Sequence, residues 1–324
     1  MNENKYDHLI LRAEDKAINW YPGHMARAKR KLADQLSRVD VVVELCDARI
    51  PRASRNPDLS ELVKNKKRLL ILNKADLADE AATRAWLAYY RSQGLDCMSF
   101  DSAKGRAKDV IARIEKAASE AVARMAARGV KKTVRVMIVG VPNVGKSTFT
   151  NKVNGSSIAK TGDRPGVTRS NQWVRITPYL ELLDTPGLLW PKLDNQDDAR
   201  ALAFVGTIND QVTDQQMLAV RLLETIKALK KDAVVSRFKL KNADAEDVEL
   251  LYEACRGRGW LMPGGVLDTD RGSAVILDEF RAGKLGRITL QHAPQKKEKE
   301  KEKEKAAPAA AAVKDTDTAK EADE

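Results

Sequence analysis

The chain has few of the features that mark exported, disulfide-stapled or membrane-spanning proteins. Only three of its 324 residues are cysteine, and their odd number and wide spacing fit neither a disulfide framework nor a metal cluster. No uncharged apolar run reaches the roughly 18 to 20 residues that a membrane span requires. The first twenty residues mix acidic and basic side chains and lack the apolar stretch of a signal peptide. We therefore expect a soluble, cytoplasmic protein with reduced thiols and no membrane partner.

The charge of the chain, a net +11, indicates an anionic partner. Lys and Arg outnumber Asp and Glu by 36 to 24 in residues 1–205. The two signs nearly balance afterwards, at 13 to 13 in residues 206–292 and 8 to 9 in residues 293–324. The basic excess therefore lies in the longer N-terminal part.

Short apolar segments rich in β-branched residues alternate with helical patterns in that part. They occupy residues 39–45, 68–72 and 134–139, and each ends in a turn-like or polar motif. Such segments are typical of buried parallel strands in a doubly wound α/β sheet, whose ligand-binding loops follow the carboxyl ends of the strands. An alanine-rich stretch at 109–128, closed by Gly129, predicts a long helix.

The character of the chain changes from about residue 213, where apolar residues recur at helical spacing. This periodicity predicts a mainly α-helical second domain. Its apolar positions are Leu218, Leu222, Ile226 and Leu229, then Val248, Leu251, Tyr252 and Cys255. From residue 293 onward a Lys-Glu run and then Ala, Pro and acidic residues predict a disordered tail.

A complete phosphate-loop pattern, Gly-x-x-x-x-Gly-Lys-Ser, occupies residues 140–147 between a predicted strand and a predicted helix. Its glycines allow backbone amides to surround phosphates, and the helix N-terminus favours negative charge. We expect Lys146 to reach the β- and γ-phosphates, as a catalytic residue, and Ser147 to ligate Mg²⁺. The predicted nucleotide contacts in this loop are Asn143, Val144, Gly145, Lys146, Ser147 and Thr148.

Two later features complete the predicted metal and γ-phosphate contacts. Asp184-Thr-Pro-Gly187 follows an apolar segment, so Asp184 can hold Mg²⁺, usually through water, and the Gly187 amide can meet the γ-phosphate. Sixteen residues before Asp184, Thr168 offers a hydroxyl to the same ion from a glycine-containing loop. Because such a loop can become ordered around the triphosphate, Thr168 is a further candidate catalytic residue.

A motif near the start of the chain, Asn73-Lys74-Ala75-Asp76, is expected to select the base of the bound nucleotide. The Asp76 carboxylate can accept hydrogen bonds from N1 and the exocyclic amine of guanine, which adenine cannot supply. This favours GTP and GDP over adenine nucleotides. The next loop, Ser102-Ala103-Lys104, is expected to offer a backbone amide to the guanine O6.

The order of these motifs is unusual, because the guanine motif precedes the phosphate loop. In ordinary GTPases the phosphate loop comes first. The sequence therefore predicts an α/β P-loop GTPase with a doubly wound, mostly parallel sheet and a circularly permuted motif order, followed by a helical domain and a disordered tail. The expected segments are an N-terminal extension (1–15), the GTPase domain (16–206), a helical RNA- or ribosome-binding domain (207–292) and a charged tail (293–324).

Further motifs extend the resemblance to a known family. Trp-Tyr-Pro-Gly-His-Met at 20–25, Asp-Ala-Arg-Ile-Pro at 47–51 and the permuted order are similar to those of the circularly permuted ribosome-biogenesis GTPase A family, also called the YlqF family. The resemblance covers roughly residues 16–290. Its C-terminal part, including Arg-Gly-Trp at 258–260 and the segment 281–287, is similar to the family's helical RNA-binding module.

The resemblance implies a GTPase that binds the immature large ribosomal subunit, through rRNA and ribosomal proteins, and leaves after hydrolysis. Leu188 and Leu189 stand where Ras-like enzymes carry a water-orienting glutamine, and the family points to His24 as the compensating catalytic residue. Asn143 resembles the asparagine that helps hold K⁺ in potassium-stimulated GTPases. The implied cofactors are GTP or GDP, Mg²⁺ and K⁺, and no DNA partner is expected.

Several clusters of cations are candidate RNA contacts, with ordinary solvated charge as the alternative interpretation. They are Arg27, Arg30 and Lys31; then Arg49, Arg52, Arg55, Lys64, Lys66, Lys67 and Arg68; and, in the C-terminal part, Arg256 with Arg258 and Arg281 with Lys284 and Arg287. Helical spacing is expected to align the last three of these. Two other functions remain open at this point. One is a nucleotide-gated RNA-binding scaffold in which hydrolysis is incidental. The other is a permuted GTPase that serves the small subunit or an organellar ribosome, although the metal-ligand cluster of small-subunit relatives is missing.

Overall fold

The computed structural model of the protein describes residues 34–56, 59–64, 66–101, 104–155, 172–185, 195–209 and 213–294. The predicted N-terminal extension and all but the first two residues of the predicted tail lie outside these ranges. The residues from 34 to His292 belong to one compact unit.

A six-stranded sheet forms the centre of this unit. Its strands are β1 (Val41–Asp47), β2 (Lys67–Asn73), β3 (Asp96–Ser99), β4 (Val134–Gly140), β5 (Gln172–Thr177) and β6 (Leu180–Asp184). Their order across the sheet is β3-β2-β1-β4-β6-β5. All neighbouring pairs are parallel except β5 and β6, which form an antiparallel edge. The predicted mostly parallel, doubly wound sheet is confirmed.

The described helices cover the sheet and form the C-terminal part. They are α1 (Leu59–Leu62), α2 (Glu80–Ser92), α3 (Ala107–Ala126), α4 (Lys146–Asn154), α5 (Gln196–Phe204), α6 (Gln215–Phe238), α7 (Asp247–Arg258) and α8 (Thr269–Arg281). None of the helices in the described part of the chain combines the length and apolar character needed to cross a membrane.

Strand β1 is buried on both faces, which explains why its residues up to Cys46 are apolar except for Glu44. Val41, Val43 and Leu45 join the larger apolar cluster on one side of the sheet, while Val42 joins a smaller cluster on the other side. The larger cluster continues without interruption into α6, α7 and α8. The GTPase part and the helical part thus share one core, and the boundary at 206/207 remains a prediction.

The C-terminal helices follow the predicted periodicity with two differences. Helix α6 is interrupted at Lys230, whose backbone is not helical (φ −155°, ψ 72°), and Leu229 beside it is 40% exposed and does not join the predicted apolar face. Helix α8 ends at Arg281. The expectation that helical spacing aligns Arg281 with Lys284 and Arg287 is therefore wrong, because the last two follow the helix.

Candidate guanine-nucleotide site

The predicted nucleotide motifs follow the carboxyl ends of three parallel strands of the sheet. Strand β2 ends at Asn73, β4 ends at Gly140 and β6 ends at Asp184. Parallel strands present these ends at one edge of the sheet, where doubly wound proteins bind their ligands. The permuted chain therefore brings motifs that are distant in sequence to one edge.

Close packing explains the two glycines of the phosphate loop. A Cβ atom at Gly140 would lie 2.6 Å from the carbonyl oxygen of Leu45, on the adjoining strand. Gly145 has a left-handed backbone (φ +95°), and a Cβ atom there would lie 2.7 Å from the Asn73 side-chain nitrogen. The loop can pass this close to β1 at Gly140 and to the guanine motif at Gly145 only without side chains at these positions.

Helix α4 begins directly at the end of this loop, with Lys146. The amide of Phe149 makes the first bond of the helix, to the carbonyl of Gly145, 2.8 Å away. The first turn of the helix includes Ser147 and Thr148, and the amides of a first helical turn point out of the N-terminal end of the helix. Such a helix start suits phosphate, and it places the Ser147 hydroxyl in the first turn beside it.

The Lys146 side chain is folded over the phosphate loop. Its amino group donates to the carbonyl oxygens of Gly140 (3.1 Å) and Val141 (2.8 Å), and it is 7% exposed. These bonds hold a positive charge inside the loop, where the predicted phosphates would lie.

Asn73 and Lys74 connect the guanine motif to the phosphate loop. The side-chain amide of Asn73 donates to the carbonyl oxygen of Val144 (2.9 Å), and the Lys74 amino group donates to the carbonyl oxygen of Asn143 (2.7 Å). Lys74 has a positive φ of 56° and Asn143 one of 58°, so both stand at sharp turns. The guanine motif and the phosphate loop are thus hydrogen-bonded directly to each other.

Asp76 is left as the exposed carboxylate of the guanine motif. Partial removal from solvent raises the pKa of its carboxyl group above the ordinary value, and the nearby Asp101 raises it further. Asp101 also accepts a hydrogen bond from the Lys104 amide (3.0 Å) and so shapes the second guanine loop. Donors on a guanine base would offset the desolvation of the Asp76 carboxylate, which suits a base-reading role.

A buried ion pair that the sequence interpretation missed lies beside these motifs. Asp47, at the end of β1, and Arg49 are each 1% exposed and are joined by bonds of 3.0 and 2.8 Å. Burial alone would raise the pKa of Asp47, but attraction to Arg49 and Lys74 outweighs it and holds the pKa far below the ordinary value. The signal was available, because Asp-Ala-Arg follows a predicted buried strand at the same sheet edge.

Arg49 also reaches the C-terminal part of the chain. Its guanidinium donates to the carbonyl oxygens of Phe280 and Arg281, both at 3.2 Å, and lies 5.1 Å from the centre of the Phe280 ring. A cation at the C-terminal end of a helix is stabilised by the helix dipole. Arg49 was expected on the basic surface, but it is buried between β1 and the end of α8.

Arg281 makes the second connection between the helical part and the nucleotide motifs. Its guanidinium donates to the carbonyl oxygens of Ala203 (2.9 Å) and Phe204 (3.1 Å), at the end of α5. Two residues later, the Gly206 carbonyl accepts a 2.7 Å bond from the Asn143 amide of the phosphate loop. The end of α8 is therefore bonded to the turn that supports the phosphate loop.

These contacts close a ring around the site, which we call the interdomain ring. It runs from the phosphate loop to the guanine motif, the buried pair, helix α8, helix α5 and back to the phosphate loop. Its members are Asn143, Lys74, Asp47, Arg49, Arg281 and Gly206. The step from Lys74 to Asp47 is an ion pair of 3.3 Å.

The segment after α8 adds backbone bonds to the same loops. The amide of Ile288 donates to the carbonyl of Leu77 (3.0 Å), and the amide of Leu290 donates to that of Arg49 (2.8 Å). Arg287 donates to the carbonyls of Ala78 (2.7 Å) and Ala75 (3.2 Å). Arg287 therefore supports the guanine loop directly.

Other predicted RNA contacts are occupied within the protein. Glu44, which is fully buried, pairs with Arg68 and with Arg55. Arg256 pairs with Glu249 and, at 2.9 Å, with Glu253. We infer that these arginines stabilise the fold more than they offer charge to RNA.

Several predicted site residues lie outside the described part of the chain and stay predictions. They are His24, Ser102, Ala103, Thr168 and Gly187, together with the side chain of Asp184. The predicted basic side chains Arg27, Arg30 and Lys31 are also outside it.

The fold and this edge define a class of protein. A doubly wound sheet carries a phosphate loop after β4 and a guanine motif after β2, with the guanine motif first in the chain. The protein is a circularly permuted P-loop GTPase, and guanine nucleotide is its ligand.

Comparison with known proteins gives the family. Residues 135–250 match the family described as 50S ribosome-binding GTPase. The chain is 42% identical to Ribosome biogenesis GTPase A of Bacillus cereus over 276 residues, which cover 85% of this chain and 93% of the relative. The GDP-bound structure of Thermotoga maritima YlqF matches with a TM-score of 0.61 and 28% identity, over 81% of this chain and 99% of that one. Its GNP-bound structure matches with a TM-score of 0.60 and 28% identity, over 82% and 98%. The chain belongs to the ribosome biogenesis GTPase A family.

Proposed function

We propose that this GTPase binds the immature large ribosomal subunit in the cytoplasm, promotes a late assembly step and dissociates after it hydrolyses GTP. The names of its bacterial relatives and of the matching family support a ribosomal role. The interdomain ring is the observation that carries the proposal. It bonds the helical part, a candidate ribosome-binding surface, to both nucleotide loops, so nucleotide state and subunit affinity can influence each other.

The described residues fit a Mg²⁺-bound guanine nucleotide. The tight glycine loop, the start of α4 and Lys146 suit the phosphates, and Asp76 suits the base. Ser147, Thr168 and Asp184 would hold Mg²⁺, in part through water. The ion would neutralise charge on the β- and γ-phosphates.

Hydrolysis needs a group that replaces the missing glutamine, and we assign this role to His24. We also assign Asn143 to a K⁺ site beside the phosphates. Its amide is fixed by the bond to Gly206, which favours a defined orientation of the side chain. Equal rates of GTP hydrolysis in Na⁺ and K⁺ would remove the K⁺ assignment.

Sedimentation of the protein with separated ribosomal subunits tests the proposal. We expect the protein to sediment with immature large subunits in a non-hydrolysable GTP analogue and to remain in the supernatant in GDP. Sedimentation with small subunits instead would favour the other ribosomal particle. Equal behaviour in analogue and GDP would contradict a nucleotide-controlled cycle.

Two variants separate an enzyme from a scaffold in the same experiment. Lys146→Ala should abolish analogue-dependent binding under both interpretations. His24→Ala should retain binding and nucleotide affinity but lose subunit-stimulated hydrolysis. If His24→Ala hydrolyses GTP at the stimulated wild-type rate, histidine is not the compensating residue.

A further inference from the structure

A groove on the helical part, beside the loop that follows α8, gathers several cations. It encloses about 760 Å³ and is open to solvent. Its lining comes from the kinked second half of α6, the end of α7 and the loop after α8. Its charged lining residues, within the part of the chain that the structure describes, are Lys230, Arg237, Lys239, Arg258 and Lys284, with Asp232 as the one carboxylate. We call this the basic groove.

The charges in the basic groove are only partly neutralised. Glu279 accepts two bonds from Arg237, of 2.8 and 2.6 Å, and lies 3.4 Å from Arg258. One carboxylate therefore balances one of these two arginines. The exposed amino groups of Lys230, Lys239 and Lys284 form no ion pair in the described ranges. With Asp232 counted, the groove keeps an excess of about three positive charges.

Backbone geometry fixes the positions of these lysines. Lys230 stands at the break in α6, so its side chain leaves the regular helical surface and approaches the loop at Gly286. Lys239 ends α6 in a left-handed conformation with φ 53°. The amides after it, of Lys241 and Asn242, both donate to Glu253 at 3.0 Å. The groove is therefore built by the fold and does not depend on a flexible helix face.

The groove lacks the feature that binds unpaired bases. Among the described residues no Phe, Tyr or Trp lines it, and the nearby Trp260 is buried beneath Arg258, 5.3 Å from ring centre to guanidinium. Proteins that take single strands stack bases on exposed aromatic rings. Folded RNA is instead recognised mainly by its shape and its backbone. An open, aromatic-free, cationic groove fits the second kind of ligand.

We propose that the basic groove binds the phosphodiester backbone of folded, base-paired RNA, with Lys230, Lys239 and Lys284 as the phosphate contacts. The proposal rests on the proposed ribosomal function for the source of that RNA. It places RNA contact away from Arg256, Arg281 and Arg287, which the fold uses internally. The groove contacts the RNA backbone, and any recognition of the RNA sequence comes from other contacts.

A charge-reversal variant with a matched control tests the groove. The variant is Lys230→Glu/Lys239→Glu/Lys284→Glu, and the control is Lys108→Glu/Lys116→Glu/Lys131→Glu, which changes the net charge equally at exposed positions outside the groove. Binding of a duplex RNA hairpin, an unpaired RNA of equal length and polyglutamate is measured by fluorescence anisotropy across a KCl series. Thermal melting and GTP turnover without RNA confirm that each variant is folded.

The groove variant should bind the hairpin roughly tenfold or more weakly than wild type, and the slope of log affinity against log salt should fall by about 2 to 3. The control should stay near wild type, and wild type should prefer the hairpin. Equal losses in both variants, or a groove variant that binds as wild type does, would overturn the proposal. Preference for unpaired RNA or polyglutamate would also overturn it.

Sedimentation of the same proteins separates this proposal from the function on which it rests. If wild type fails to sediment with large subunits, the proposed function fails. If wild type and the groove variant sediment equally, only the groove assignment fails.

Discussion

We expect Asp76 to determine the choice of base, because it is the exposed carboxylate of the guanine motif. Asn73 and Lys74, its companions in the motif, are directed to the phosphate loop through bonds of 2.9 and 2.7 Å. Their contacts position the loop, whereas Asp76 is placed to meet the ligand. A change at Asp76 should therefore alter which base is bound and leave the phosphate loop intact.

Asp76→Asn should reduce GDP affinity strongly and improve binding of xanthosine diphosphate. Asparagine can accept one of the two guanine bonds and can donate to the carbonyl that xanthine carries in place of the amine. Loss of a bond to a charged group costs about 1.5 to 3 kcal/mol, so a loss of roughly 10-fold to 100-fold for GDP is expected. Titration calorimetry with both nucleotides measures the change. Unaltered GDP preference would exclude Asp76 as the base-reading residue.

Arg49 is expected to matter for stability, since its removal leaves the Asp47 carboxylate buried. Breaking a buried ion pair from one side costs about 3 to 5 kcal/mol. Arg49→Met should lower the free energy of unfolding by about that amount at neutral pH, as measured by urea denaturation. Arg52→Met is the control, because Arg52 is 54% exposed in its pair with Asp198 and should cost at most about 1 kcal/mol.

Lowering the pH should reduce the difference in free energy of unfolding between wild type and Arg49→Met. The pKa of Asp47 is depressed in the folded protein, so its charge stabilises wild type above the ordinary aspartate value of 3.8 and this contribution is lost as pH falls through the folded pKa. In Arg49→Met the charged Asp47 carboxylate already destabilises the folded protein at neutral pH, and its protonation removes this destabilisation. A stability difference that stays constant from neutral pH down to the ordinary aspartate pKa would contradict the assignment.

At the scale of elements, the sequence pattern predicted the strands and helices whose burial depends on residues close together in the chain. The buried strands and the helices α3, α6 and α7 follow from periodicity, because burial on one face or both is written into consecutive residues. The ends of elements were predicted less accurately. Helix α8 stops at Arg281, where its last carbonyls bond to Arg49, and the predicted basic stripe through Arg287 does not form.

The contacts between elements could not be predicted from local pattern. Arg49 and Phe280 are 231 residues apart, and no periodicity links them. The basic run from Arg49 to Arg68 resembles an RNA surface in sequence, yet Glu44 and Asp47 draw three of its arginines inward: Arg49, Arg55 and Arg68. The nucleotide motifs were predictable because their chemistry is local to short segments. The ring that joins them is a property of the folded chain.

At the scale of the whole molecule, the interdomain ring is the route by which a bound nucleotide is expected to affect the helical part. We expect nucleotide that stabilises the phosphate loop also to stabilise the Asn143 bond to Gly206 and, through α5, the Arg281 contacts. Sites linked in this way share one coupling free energy, and each affects the other equally. The helical part is therefore expected to be more protected in the nucleotide-bound protein.

Hydrogen exchange of the wild type and Arg281→Met tests this coupling. In wild type, GDP should slow exchange both in the phosphate loop and at the end of α8, where the amides of Ala282 and Gly283 are bonded to the last turn. In Arg281→Met the phosphate loop should keep its protection, whereas the GDP effect on α8 should fall by at least about half, because one of the two arms of the ring is cut. Arg271→Met, an exposed position on the same helix, should behave as wild type. If α8 responds to GDP equally in all three proteins, the coupling does not pass through Arg281, and the contacts of Arg49 with the same helix end would have to carry it.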